Sequence, residues 1–149
     1  MLNRDFKEFA ELLNASGVEY LVVGGYALAA HGHPRYTGDI DFWLSPTPEN
    51  IDRLLAALKA FGFGSLGLTR ADFTDDSVIQ LGVAPGRIDL LTRIDGVEFD
   101  ACWGRRETME VDGLPLNFIG LEDFKANKRA VGRFKDLADL EALEPPTAD

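Results

Sequence analysis

YLVVGGYALAAHGHPRYTGDIDFWL, residues 20–44, is the stretch on which the reading of the whole chain turns. Residues 20–23 are a short apolar run with two β-branched side chains, suited to a strand. Gly24-Gly25 break the run, and residues 26–31 suit one or two helical turns. Gly32, His33 and Pro34 end that helix, because Gly frees the backbone and Pro cannot continue it. Asp39-Ile40-Asp41-Phe42-Trp43-Leu44 then alternates acid and apolar with a period of two. On a strand, Asp39 and Asp41 project to one face while Ile40 and Phe42 project to the other.

Two carboxylates on one side of a strand repel each other unless a cation sits between them. Burying such a pair without one costs on the order of several kcal/mol. Oxygen-only ligands suit Mg²⁺, which takes one or two carboxylates and completes its shell with water and substrate phosphate. The Gly24-Gly25 turn supplies the complement. With no side chain in the way, its backbone N–H groups approach a phosphate closely, and a helix N-terminus favours negative charge. A phosphate cradle followed by a metal-binding acid pair points to phosphoryl or nucleotidyl transfer. The bland alternatives are a tight strand-to-helix turn for the glycines and a solvated edge strand for the acids.

Gly24-Gly25, thirteen intervening residues and Asp39-Ile40-Asp41 together resemble the signature of the polymerase-beta-like nucleotidyltransferase superfamily. The fuller string is similar to its small bacterial and archaeal branch of minimal nucleotidyltransferases, some of which act in toxin–antitoxin and abortive-infection systems. The resemblance is strongest over residues 18–44. It extends more weakly through Arg87-Ile88-Asp89-Leu90-Leu91 and the closing GRFKDLADLEAL. It implies an α/β (α+β) nucleotidyltransferase-like fold, a mixed and mostly antiparallel sheet flanked by helices. It also implies Mg²⁺-dependent transfer of a nucleoside monophosphate from an NTP to an acceptor hydroxyl, with release of pyrophosphate. In that family a third acid on a neighbouring strand helps hold the metal and can draw the proton from the attacking hydroxyl. Asp89, flanked by apolar Ile88 and Leu90, is the candidate. Asp75, Asp76, Asp95 and Asp100 compete, although the first three look like turn acids.

Other residues carry weaker signals. Arg35 sits between the glycine turn and the acids, placed to grip a phosphate bidentately or to pair with a surface acid. Thr37 caps the turn or touches the metal shell. Lys125, Lys128, Arg129, Arg133 and Lys135 make a basic segment, which reads mainly as solvated helix faces pairing with Glu122, Asp123, Asp136 and Asp139. The functional alternative is that Lys128 or Arg133 reaches a triphosphate or the acceptor, and Lys128 is kept as a candidate nucleotide ligand. His31-Gly32-His33 lacks the further ligands that would make a zinc site. Cys102 has no sequence partner that would activate it and reads as a small buried group.

The 149 residues fit one domain, expected over residues 1–144 with a flexible tail at 145–149. A hydrophobic content of 46% is ordinary for a globular chain. No apolar run approaches the ~18 residues of a membrane span, the N-terminus is not a signal peptide, and one cysteine cannot form an internal disulfide. A cytoplasmic protein is the simplest expectation. The net charge of −10 opposes broad binding to long nucleic acids or anionic membranes.

Along the chain, helices are expected over residues 3–15, after a Thr47 cap with Pro48 at the first helical position, over 121–131 and over 134–143. The last is expected to turn Phe134, Leu137, Leu140 and Leu143 inward. Residues 71–73 suit a short helix or an ordered loop. Strands are expected at 77–83, 87–92, 97–103, 108–111 and 116–119, with turns at Ala84-Pro85-Gly86 and Asp112-Gly113. The rival to an enzyme is a catalytically silent antitoxin or partner-binding module that kept the fold. The acceptor is open: a protein hydroxyl, an RNA end or a small molecule. Partners beyond NTP would include a cognate toxin or antitoxin.

Overall fold

The computed structural model describes residues 2–34, 37–73, 78–83 and 86–144. Arg35, the competing acids Asp75 and Asp76, the Ala84-Pro85 turn and the tail from Pro145 lie outside the described residues. Helix α1 (Arg4–Ala15) begins where the Asn3 side chain accepts the Phe6 N–H at 2.8 Å, and it buries Phe6, Phe9, Ala10 and Leu13. Strand β1 (Tyr20–Val23) is buried throughout and runs directly into α2 (Gly24–Ala30). Strand β2 (Ile40–Leu44) follows, then α3 (Pro48–Leu58), capped by Thr47. Short helical turns at Arg70–Phe73 lead to β3 (Val78–Leu81) and β4 (Ile88–Leu91). The chain closes with α4 (Phe99–Gly104), β5 (Glu107–Val111), β6 (Leu114–Phe118), α5 (Leu121–Val131) and α6 (Phe134–Leu143).

The six strands form one sheet in the order β3-β4-β2-β1-β6-β5. Three pairings are antiparallel, while β2/β4 and β1/β6 are parallel. The expected mixed, mostly antiparallel sheet is therefore present. On one face Phe42 meets Phe9 of α1 at 5.6 Å and Tyr20 at 5.4 Å between ring centroids. On the other, Trp43 packs edge-on against Phe99 of α4 at 5.2 Å. Asn50 of α3 locks one sheet end: its side chain accepts from the Glu19 N–H and donates to the Glu19 and Ser45 carbonyls, at 2.7, 3.0 and 2.9 Å. Among the described residues, no helix is long and apolar enough to cross a membrane.

Two expectations are corrected. Residues 97–103 are not a strand: α4 buries Phe99 and Cys102, three apart, and Trp103 stacks on Phe99, which is helical spacing. The inward face of α6 is also different. Phe134 is 95% exposed and Leu137 is exposed too, whereas Asp136 and Asp139 are buried beside Leu143. The cause lies on α5, where the buried Lys128 ammonium sits 3.1 Å from Asp136 and 3.0 Å from Asp139. A buried cation demands paired anions more strongly than an exposed Leu demands cover.

Candidate active site

The parallel β2/β4 register pairs Asp41 with Asp89, so both side chains rise on the same sheet face. Asp39 precedes β2 by one residue and lies on that face as well. The three carboxyl groups are gathered around one cation that the sequence reading overlooked. Arg87 Nε lies 2.7 Å from Asp89 and its Nη2 3.1 Å from both Asp89 and Asp39. Its backbone N–H also donates to Asp39 at 3.2 Å. The signal was present: Arg87 stands two residues before Asp89 on a strand, hence on the same face.

One guanidinium does not balance three carboxylates. Burial, a hydrogen bond with Asp89 and the charges of Asp89 and Asp39 push the Asp41 carboxyl up to about 7, with Arg87 opposing only in part. Asp41 and Thr37 between them explain the two glycines. Gly24 has φ +69°, and a Cβ there would lie 2.2 Å from an Asp41 carboxylate oxygen. A Cβ on Gly25 would lie 2.9 Å from Thr37, whose hydroxyl donates to the Asp39 carbonyl at 3.1 Å. Glycine is thus required at both positions for the turn to lie against the acids.

These groups line a cleft of about 330 Å³ with Lys128, Arg133 and Lys135. Lys128 reaches it with its ammonium already engaged by Asp136 and Asp139. Burial alone would raise the Asp136 carboxyl, but hydrogen bonds from Arg133 and Lys128 hold it below the usual carboxylate range. Arg133 and Lys135 sit at the start of α6. The sequence pattern leans to solvated faces for both, with Arg133 weighed beside Lys128 as a residue that could reach a triphosphate, since nothing in the local pattern says that α6 returns to the sheet end.

The remaining candidates lie elsewhere. His31 packs under α2: its Nε2 lies 2.8 Å from the Ile119 carbonyl, its Nδ1 3.4 Å from Glu107, and its ring stacks on Phe124. Cys102 is fully buried, and burial together with nearby Asp123 pushes its thiol up to about 11. Neither group faces the cleft, and Asp95 and Asp100 do not line it.

The donor set for a metal is oxygen-only, and it carries more negative charge than Arg87 neutralises. In that respect it fits Mg²⁺. Among the described residues no group of three or more His, Cys, Asp or Glu side chains is poised as a ligand cluster. Arg87 bridges Asp39 and Asp89.

This architecture recurs in solved structures. A Thermotoga maritima protein assigned provisionally as a nucleotidyltransferase aligns over 97% of this chain and 93% of its own, with a TM-score of 0.57 and 15% identity. The lincosamide antibiotic adenylyltransferase LnuA, in its lincomycin-bound form, aligns over 99% of both chains, with a TM-score of 0.58 and 12% identity. The chain has a nucleotidyltransferase-like fold. At these identities the likeness extends to the fold alone. No protein-family profile matches the sequence, and no curated protein does.

Proposed function

We propose that this chain is a Mg²⁺-dependent nucleotidyltransferase of the cytoplasm. It would transfer a nucleoside monophosphate from an NTP to an acceptor hydroxyl. The acceptor oxygen bonds to the α-phosphorus, the bond to the bridging oxygen breaks, pyrophosphate leaves and the hydroxyl proton is released. The observation that carries the reading is the gathering of Asp39, Asp41 and Asp89 against the Gly24-Gly25 turn, in a cleft with Arg133 and Lys135.

Asp39, Asp41 and Asp89 would hold the metal, which when bound orients phosphoryl oxygens and neutralises their charge. The Gly24 and Gly25 backbone N–H groups face the β- and γ-phosphates, with Thr37 behind Gly25. Arg87, Arg133 and Lys135 supply positive charge to the triphosphate, and Arg35 remains a candidate for the same task. Lys128 acts chiefly by holding α6 and its cations over the cleft. Asp89 receives the acceptor proton or completes the metal shell.

The test is incubation with each labelled NTP and Mg²⁺ in lysate, followed by separation of labelled protein, RNA and small molecules. Transfer that is lost in Asp39→Asn/Asp41→Asn supports the reading; equal NTP binding by wild type and double mutant removes those acids from the metal site. A second reading, a silent antitoxin or partner-binding module, is favoured by Arg87 bridging Asp39 and Asp89. It predicts no transfer with any NTP and capture of one cellular protein.

A further inference from the structure

Behind the acid pair lies a pocket of about 200 Å³. Its floor is Val22 of β1, Ile40 of β2 and Phe118 of β6, all buried. Ile40 is the residue between Asp39 and Asp41, and side chains alternate along a strand. Pocket and cleft therefore open on opposite faces of the same strands, and among the described residues they share no lining side chain. Tyr26, Ala29 and Ala30 of α2, spaced i, i+3 and i+4, make one wall. At the two alanines the helix leaves room that a longer apolar side chain would fill.

The segment before α1 bounds the opposite side. Leu2 lines the pocket, and its N–H donates to Asp112 in the β5–β6 turn at 2.8 Å. In the first turn of α1, Phe6 meets the Tyr26 ring edge-on at 5.9 Å, which ties that helix to the pocket wall. Among the described residues that line the pocket, Tyr26 alone carries a polar side-chain atom and none is charged. Protein interiors leave few gaps larger than a water molecule. A hollow walled by hydrocarbon forfeits dispersion contacts, which an apolar ligand restores. An apolar cavity of ~150 Å³ takes up benzene and excludes water, whereas drug-sized ligands occupy ~300–1,000 Å³. The pocket behind the acids falls between the two.

We propose that this pocket is a second ligand site, which takes a small, uncharged, apolar molecule of the size of one substituted aromatic ring. A charged ligand would give up its water there and find no counter-charge among the lining residues. The sheet stands between the pocket and the three carboxylates, so its ligand is neither the nucleotide nor the acceptor, and the proposal does not depend on the nucleotidyltransferase reading. The bond from Leu2 to Asp112 carries the chain across one side of the rim, which favours a small free molecule over a flat protein surface.

Titration of the methyl-labelled full chain with fluorobenzene and, separately, with the anion 4-fluorobenzoate, followed by NMR, tests this. Fluorobenzene should shift the Ala29, Ala30 and Ile40 methyls saturably, with a Kd of about 1 mM or tighter, and 4-fluorobenzoate should bind about tenfold or more weakly. Ala30→Leu, which fills the pocket from α2, should weaken fluorobenzene by about tenfold or more. Val111→Phe fills it from the half-buried rim, where a larger side chain does not strain the core, and should do the same. The wild-type titration decides the matter by itself if neither variant folds. No saturable shift, shifts centred on other methyls, equal binding of the anion, or an affinity unchanged in both folded variants overturns the site. Shifts of the same methyls that follow protein concentration without any probe assign the pocket to a side chain of a second copy, and overturn the proposal too.

Discussion

Asp41→Asn should make the metal-free protein more stable, increasingly so as pH rises. The Asp41 carboxyl ionises near 3.8 in an unfolded chain and at about 7 in the fold. A carboxyl whose folded pKa is raised holds its proton more tightly when folded. Its contribution to stability is intact below the unfolded pKa and is lost as pH rises towards the folded one. A difference of about three units corresponds to roughly 4 kcal/mol, reached above about pH 8. By pH 5 only about 1.5 kcal/mol of it has developed. Asn removes the ionisation, keeps the side-chain shape and can still donate to Asp89. Urea unfolding with a chelator at pH 5 and pH 8 should therefore show Asp41→Asn gaining about 2–3 kcal/mol more over wild type at the higher pH. Saturating Mg²⁺ should close that gap by stabilising the wild type, because a ligand that binds only the folded state adds to its stability. A pH-independent difference between the two proteins, or a destabilised variant at pH 8, would refute the like-charge repulsion inferred around Asp41.

Lys128→Met leaves Asp136 and Asp139 buried without their shared cation, which should cost about 3–5 kcal/mol by denaturant unfolding. Asn50→Ala strips partners from the Glu19 N–H and from the Glu19 and Ser45 carbonyls, and a loss of about 2–4 kcal/mol in the same assay is expected. Asp89→Asn should lower turnover by ~10²–10⁴-fold while NTP affinity changes far less, measured as NMP transfer beside calorimetry. Transfer that persists unchanged in that variant takes Asp89 out of the reaction.

The sheet end was legible where the signal is local. The acid–apolar alternation of residues 39–44 states which side chains share a face, and the Thr47 cap followed by Pro48 announces its helix within a turn. Asp89 could be singled out by its apolar neighbours, but its place beside Asp41 depends on the parallel β2/β4 pairing, and the two strands are separated by α3 and β3. Arg87 was missed because its partner Asp39 lies 48 residues away, although its spacing to Asp89 was in view. Residues 97–103 misled because so short an apolar run fits a strand as well as two helical turns. In α6 the apolar period was real, but burial followed Lys128 on another helix. No pattern within residues 134–143 contains that information.

The attachment of α6 has a consequence for the order in which the molecule opens. Its inward groups are mostly carboxylates held by Lys128 and Arg133, together with Leu143, and Arg129 of α5 pairs with Glu144 just beyond its end. Unlike α1, it removes little hydrocarbon from water when it docks, so its detachment carries only a small heat-capacity change. Amide exchange in α6 should then be governed by a sub-global opening below the energy of the sheet. Because α6 begins with Arg133 and Lys135, each such opening also withdraws positive charge from the cleft. An anion bound there is thermodynamically linked to the docking of the helix, and it should slow exchange in α6 more than in the strands that carry the carboxylates.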